Sequence, residues 1–226
     1  MMKIKVIITG ATGMVGEGVL HECLLSPAVE SIVVVNRRPC GISDPKLTEI
    51  IHENFFDISP IENRLEGFDA CFFCLGVTSI NKNEQEYFKL TYTLTTGFAG
   101  RLAISNPQMT FCYISGAGTD PTEKGRLMWA RVKGKTENDL MKMSFRKVYA
   151  FRPGFLEPTR GLKNTHRFYY IIKAIYPVFR FFLSNYTSTL KELGLAMINS
   201  VTTGYDKQIL EVPDIVRLAK LTHQSA

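Results

Sequence analysis

The sequence predicts an α/β chain: a doubly wound parallel sheet covered by helices on both faces, with a small C-terminal lobe. Three observations lead there. Short β-branched runs alternate with helical periods along most of the chain, as strands joined by crossover helices do. Several of these runs are apolar nearly throughout, which suits strands buried on both faces. The chain also opens directly on strand, glycine turn and helix, in MMKIKVIITGATGMVG. A length of 226 residues, with 45% hydrophobic and 21% charged, suits one soluble globular domain able to bury a full core.

Ile4, Val6, Ile7 and Ile8 make the first strand, and Val15, Val19, Leu20, Cys23 and Leu24 are the apolar positions of the first helix. Ser31 to Asn36 (SIVVVN) reads as a central strand, ended by Arg37-Arg38-Pro39. A weaker strand lies near Leu47 to Glu53 and closes at Asn54 to Asp57. Asp69 to Leu75 is the next buried strand, stopped by Gly76. Tyr87, Leu90, Leu94, Phe98 and Leu102 recur near helical spacing, so Asn81 to Ala103 reads as one long helix. Met109 to Ser115 is a fifth strand, followed by the turn Gly116-Ala117-Gly118. Glu123 to Met143 is helical in composition, and Lys147 to Phe151 is a sixth strand ending at Arg152-Pro153-Gly154. A helix near Leu190 to Val201 and a short strand near Gln208 to Val212 complete the chain, which shows no repeat and no low-complexity linker.

Glycines at Gly10, Gly13 and Gly16, placed between a strand and a helix, suit a phosphate site. A side chain there would block the turn, a pyrophosphate's approach, or the packing of helix on strand. Ala11, Thr12, Met14 and Val15 complete the expected cradle, where the helix start offers unpaired N–H groups and a partial positive charge. The end of the second strand then chooses the dinucleotide. An acid there favours NAD, and arginine pairs with the 2′-phosphate of NADP. Asn36 is followed by Arg37 and Arg38, with no acid until Asp44, so the sequence favours NADP(H) over NAD(H). Asp57, ending the third strand, is placed to meet the adenine edge or simply to form a turn.

These features occur in order with Cys74-Leu75-Gly76-Val77-Thr78, Tyr113-Ile114-Ser115-Gly116-Ala117, Val132-Lys133-Gly134-Lys135-Thr136-Glu137 and Phe151-Arg152-Pro153-Gly154. Together they resemble the atypical short-chain dehydrogenase/reductases, in particular the Tat-interacting-protein-like oxidoreductase branch, from about Lys3 to Pro158. The resemblance implies a Rossmann sheet over residues 1–158 that binds NAD(P). It also implies that residues 159–226 form a helical and aromatic substrate lobe completing the same domain. Leu75, Gly76 and Val77 are then expected to line the cofactor, with Pro153 approaching the nicotinamide end.

The family's catalytic signature is a tyrosine four residues before a lysine, with a serine on the preceding strand. Lys133 fits the lysine and Ser115 the serine, which would bind a substrate carbonyl or serve only as a turn residue. Trp129 stands at the tyrosine position, and an indole N–H donates a hydrogen bond without exchanging its proton as an acid. A second tyrosine–lysine pair, Tyr169 and Lys173, follows the sixth strand, where the resemblance places substrate-loop material rather than a catalytic helix. The resemblance also implies that Lys133 hydrogen-bonds the nicotinamide ribose, and water or a lobe tyrosine, Tyr169 or Tyr170, is then the proton source.

The net charge of +6 resides in one segment: Pro158 to Lys191 holds six bases and no acid. No zinc-finger or basic-zipper pattern accompanies it, and nucleic acid is not the expected partner. Within it, His166 to Leu183 (HRFYYIIKAIYPVFRFFL) is apolar on most sides apart from His166, Lys173 and Arg180, with Pro177 interrupting it. It is expected to close an apolar substrate pocket through Phe168, Tyr169, Tyr170 and Phe179, to pack on a second subunit, or to lie at a membrane interface. It is too short and too charged to span a bilayer. Cys71 and Cys74 form a CxxC, but strand positions three apart face opposite ways, and the four histidines lack ligand spacing, so no metal is expected. Lys3 and Lys5 inside the first strand argue against a signal peptide. Five cysteines, an odd count mostly in apolar runs, read as free thiols in a reducing compartment, and the expected address is cytoplasmic, with peripheral membrane contact as the alternative. The sequence thus points to an NADP(H)-dependent oxidoreductase acting on a carbonyl or hydroxyl substrate. Its alternatives are a catalytically silent NADP(H)-binding sensor and a sugar-nucleotide epimerase-like enzyme.

Overall fold

A computed structural model describes residues 3–164 and 184–221. Its centre is a seven-stranded parallel sheet in the order β3-β2-β1-β4-β5-β6-β9. The strands are β1 (Ile4–Thr9), β2 (Val29–Asn36), β3 (Leu47–Ile51), β4 (Ala70–Phe73), β5 (Thr110–Ile114), β6 (Lys147–Arg152) and β9 (Ile209–Glu211). A separate parallel pair joins β7 (Phe155–Glu157) to β8 (Thr187–Thr189).

Adjacent residues of a strand face opposite sides, and here both sides are apolar. Ile8, Val34 and Phe72 enter one core with Val19 and Leu20 of α1 (Met14–Leu25), Leu193 and Met197 of α5 (Leu190–Thr202), and Leu218 of α6 (Val212–Ala219). Ile7, Phe73 and Phe111 enter the other core with Phe98 and Leu102 of α3 (Leu94–Ser105). Because the order reverses direction between β1 and β4, a crevice opens at their carboxyl ends, the usual ligand position in open sheets of this kind.

Helix boundaries depart from the sequence expectation for identifiable reasons. The long second helical rod begins at Glu84, where the Asn83 side chain accepts the Glu86 N–H at 2.9 Å. It runs through α2 (Glu84–Phe88), a π-helical turn at Lys89–Thr93, and α3. The helix expected from Glu123 starts only at α4 (Met128–Leu140). Before it, Asp120 accepts the N–H groups of Thr122 (2.9 Å), Lys124 (3.1 Å) and Gly125 (2.6 Å), and Glu123 adopts a left-handed φ of 61°. The last strand ends at Glu211 because Pro213 opens α6, where its missing N–H costs nothing. The parallel pair β7–β8 was not foreseen.

One buried ion pair ties the helix and strand layers together. Arg152, at the end of β6, donates from Nε and Nη2 to the two carboxylate oxygens of Glu137 on α4, at 3.0 and 2.6 Å. Its Nη1 donates to Glu211 of β9 at 2.9 Å. Burial disfavours the guanidinium charge, but the two carboxylates more than offset this, and the Arg152 pKa lies above its ordinary value. Residues 165–183 lie outside the described chain, and with them fall the readings made for Tyr169, Tyr170, Lys173 and the rest of the aromatic-basic segment. Among the described residues no helix is long and apolar enough to cross a membrane.

Removing one partner of a buried pair leaves the other charge stranded. Glu137→Ala should therefore cost about 3 kcal/mol of unfolding free energy. Urea denaturation followed by circular dichroism measures it, and a loss within about 0.5 kcal/mol would show that Glu211 alone satisfies Arg152.

Candidate functional site

The glycine turn sits at the crevice. Gly10 has φ +72°, and a Cβ there would lie 2.9 Å from the Cys74 carbonyl oxygen. A Cβ on Gly16 would overlap the Gly10 carbonyl itself, so α1 starts hard against the end of β1. The turn closes through the Gly13 N–H, which donates to the Gly10 carbonyl at 2.9 Å. Gly13 is the N-cap of α1 and supplies no side-chain cap. The first-turn amides of Met14, Val15 and Gly16 consequently keep no intrahelical acceptor, which makes this helix end a donor array for an anion.

Asn36 braces the turn from the neighbouring strand. It is buried, accepts the Ala11 N–H on Oδ1 at 3.1 Å, and donates through Nδ2 to Glu49 of β3 at 3.1 Å. The same Glu49 oxygen accepts the Cys40 N–H at 2.8 Å. Sequence reasoning found no acid in the β2 loop. It missed Glu49, which reaches this place only because β3 lies beside β2 in register, with Val34 opposite Glu49. Two donors already engage that carboxylate. Glu17, in the first turn of α1, was also missed; its carboxylate oxygens accept the N–H groups of Lys163 and Asn164, each at 2.8 Å, and hold the segment after β7 over α1.

Arg37 and Arg38 are exposed at the end of β2. Arg37 borders a cavity of about 150 Å³ shared with Phe55, Phe56, Leu75, Gly76 and Val77. Of the residues expected at the strand ends, Arg37, Leu75, Gly76 and Val77 share this lining, which also holds Glu53, whereas Asn36, Arg38 and Asp57 lie outside it. The Asp57 carboxylate accepts the Ser59 N–H at 3.0 Å, and hydrogen bonds from Ser59 hold it below the usual carboxylate range.

On the other side of the crevice, Lys133 of α4 lies over the end of β5. Its ammonium donates to the carbonyls of Ser115 (3.2 Å) and Ile114 (3.4 Å) and stands 5.4 Å from the centre of the Tyr113 ring. Burial brings its pKa down to about 8, against the opposing pull of Glu137. Ser115 is buried, with its Oγ 2.9 Å from Thr119 Oγ1. Thr119 donates its own proton to the Gly116 carbonyl at 2.8 Å, so the Ser115 hydroxyl is left to donate to Thr119. Thr119 had not been singled out in the sequence. Trp129 is half-buried one helical turn before Lys133, its ring 3.5 Å from where a Cβ on Gly118 would stand. The Pro153 carbonyl accepts the Ala117 N–H at 3.0 Å, joining the loops that follow β5 and β6.

No protein-family model matches the chain. The mitochondrial protein FMP52-1 of Scheffersomyces stipitis is 25% identical over 162 residues, spanning 70% of this chain and 71% of its own. The HTATIP2 protein of Rattus norvegicus is 24% identical over 160 residues, spanning 69% of this chain and 64% of its own. Among solved structures, MoeE5 in complex with UDP-glucose and NAD superposes with a TM-score of 0.64 at 15% identity, covering 95% of this chain and 80% of that one. At that identity the likeness speaks for the fold. The FMP52 relatives are named mitochondrial, which overturns the cytoplasmic address expected from the cysteines. All five thiols are free, three of them buried, but a shielded thiol does not identify its compartment. With its parallel sheet, its glycine turn and these comparisons in view, the chain has a Rossmann fold and is similar to the FMP52 and HTATIP2 proteins.

Proposed function

We propose that this protein is an NADP(H)-dependent oxidoreductase acting on a small apolar carbonyl or alcohol. The observation that carries the reading is the Arg37 side chain bordering the cavity at the ends of β2 and β4, beside the uncapped start of α1. In this reading the pyrophosphate lies on the turn Gly10 to Gly16, and Arg37 and Arg38 take the 2′-phosphate. Asn36 holds the turn in shape. Hydrogen bonds from Asn36 Nδ2 and the Cys40 N–H fix one Glu49 oxygen, Oε1, in place. Leu75, Gly76 and Val77 flank the adenosine half, Asp57 stays in its own turn, and Lys133 and Pro153 stand at the nicotinamide end. Reduced nicotinamide, when bound, supplies the hydride. The chain's own part is to hold the reactants, orient the carbonyl near Ser115 and deliver a proton.

The second reading is a catalytically silent NADP(H)-binding sensor, and Trp129 favours it, since no titratable hydroxyl stands at that position. An epimerase-like activity shares the scaffold but asks for the same missing acid.

Arg37→Glu separates the cofactors. NADPH affinity, followed by its fluorescence, should fall roughly 10- to 100-fold while NADH affinity changes little, because the lost contact is charge-assisted. Equal losses for both dinucleotides would remove Arg37 from the 2′-phosphate. Trp129→Tyr tests the choice between enzyme and sensor. Across a panel of aldehydes and ketones it should raise NADPH oxidation above the wild-type rate, because a tyrosine adds a second proton donor. A variant that binds NADPH and stays inert would favour the sensor.

A further inference from the structure

We infer that the Lys133 ammonium is itself the proton donor to the substrate oxygen, doing in this chain what a tyrosine hydroxyl does where the tyrosine–lysine pair is complete. The inference rests on the oxidoreductase reading and adds the identity of the acid. Around the end of β5 the other described groups are poor candidates. The Trp129 indole does not release its proton. Tyr113 is buried beneath Lys133, and burial pushes its phenol far above the ordinary range. The hydroxyls of Ser115 and Thr119 form a short chain ending on the Gly116 carbonyl, which has no proton to pass on.

Lys133 has three ammonium protons, and its described partners are the carbonyls of Ile114 and Ser115. It is half-buried, within reach of solvent. An ordinary lysine is too weak an acid to give up a proton near neutrality, whereas one brought to about 8 is well matched to the task. The charged and titratable groups on the elements packed around α4 leave that shift in place. Glu137 lies one turn away but both its oxygens accept from Arg152, through Nε and Nη2. Glu211 also binds Arg152, Asp120 is spent on its own loop, and Glu84 pairs with Arg131. Tyr92 donates to Asp139, and Tyr87 is buried.

The step balances. The carbonyl carbon receives hydride from the reduced nicotinamide dinucleotide, the carbon–oxygen π bond breaks, and the oxygen takes a proton from Nζ. The products are an alcohol, the oxidised dinucleotide and a neutral lysine, which regains its proton from water. Reduction therefore requires the charged form of Lys133 and should weaken as pH rises through about 8.

The test combines a titration with kinetics. In protein labelled with ¹³C at lysine Cε, one resonance, absent from Lys133→Met, should titrate near 8, well below the roughly 10.4 of a free lysine. Titration of that resonance above 10 would overturn the proposal. Lys133→Met should keep its circular dichroism spectrum, bind NADPH within tenfold of wild type, and lose at least 100-fold in carbonyl-dependent NADPH oxidation. Lys133→Arg separates donation from positioning, because a guanidinium keeps the charge and hydrogen bonds but releases no proton. It should lose as much as Lys133→Met, and restoration of turnover by arginine would sink the idea. In wild type, kcat/KM should be flat below pH 7 and fall tenfold per unit above 8.5. Turnover that appears only after Trp129→Tyr would refute Lys133 as donor while leaving the oxidoreductase reading intact. Failure of wild type to bind NADPH, or inertness of both proteins, would instead remove that reading itself.

Discussion

The Lys133 side of the crevice is arranged around a buried guanidinium. Arg152 stands where β6 ends, grips both carboxylate oxygens of Glu137 and reaches Glu211 on the edge strand. A buried charge tolerates little displacement, because every ångström of separation exposes uncompensated charge in a low-dielectric setting. The pair therefore fixes how α4 lies over β5 and β6, and so where Lys133 and Trp129 stand. It also anchors the first residue of Arg152-Pro153-Gly154, whose proline carbonyl then ties the loop after β6 to that after β5. The arginine of that run acts through structure, and the placement of Lys133 depends on it.

The cofactor side depends on a different constraint, the closeness of two backbones. Gly16 packs on the Gly10 carbonyl, and Gly10 packs on the Cys74 carbonyl, so the glycine turn and the chain after β4 meet with no side chain between them. Asn36 makes that meeting durable. Its amide satisfies a turn donor on one side and engages the Glu49 carboxylate on the other. The arrangement gives a row of first-turn amides at a helix end, near a hollow bordered by Arg37, Glu53 and apolar side chains.

Most of the sheet was legible in the sequence because parallel strands buried on both faces announce themselves as unbroken apolar runs. Ile7 and Ile8, or Phe72 and Phe73, feed opposite cores, and a chain pattern suffices to see it. What stayed hidden depended on partners far along the chain. Glu49 could be placed beside Asn36 only through the β2–β3 register, and Glu17 found its donors at Lys163 and Asn164. The start of α4 at Met128 follows from Asp120 gathering three amides, a local competition that helix-forming composition does not reveal. Thr119 escaped notice because its hydroxyl matters only through Ser115. The compartment escaped for another reason, since thiol burial reports protection of sulfur and carries no address.

The two constraints converge on Lys133. On an isolated helix a glutamate four residues away would be its natural partner, and a paired lysine would keep a high pKa. Here Arg152 engages both oxygens of Glu137, so the lysine sits among carbonyls over an aromatic ring with its nearest carboxylate already committed. Tryptophan at the preceding turn adds apolar surface where a hydroxyl would have shared the charge. Desolvation brings the Lys133 pKa down to about 8 although Glu137 pulls it the other way, and this is the property that the proposed proton donation would use.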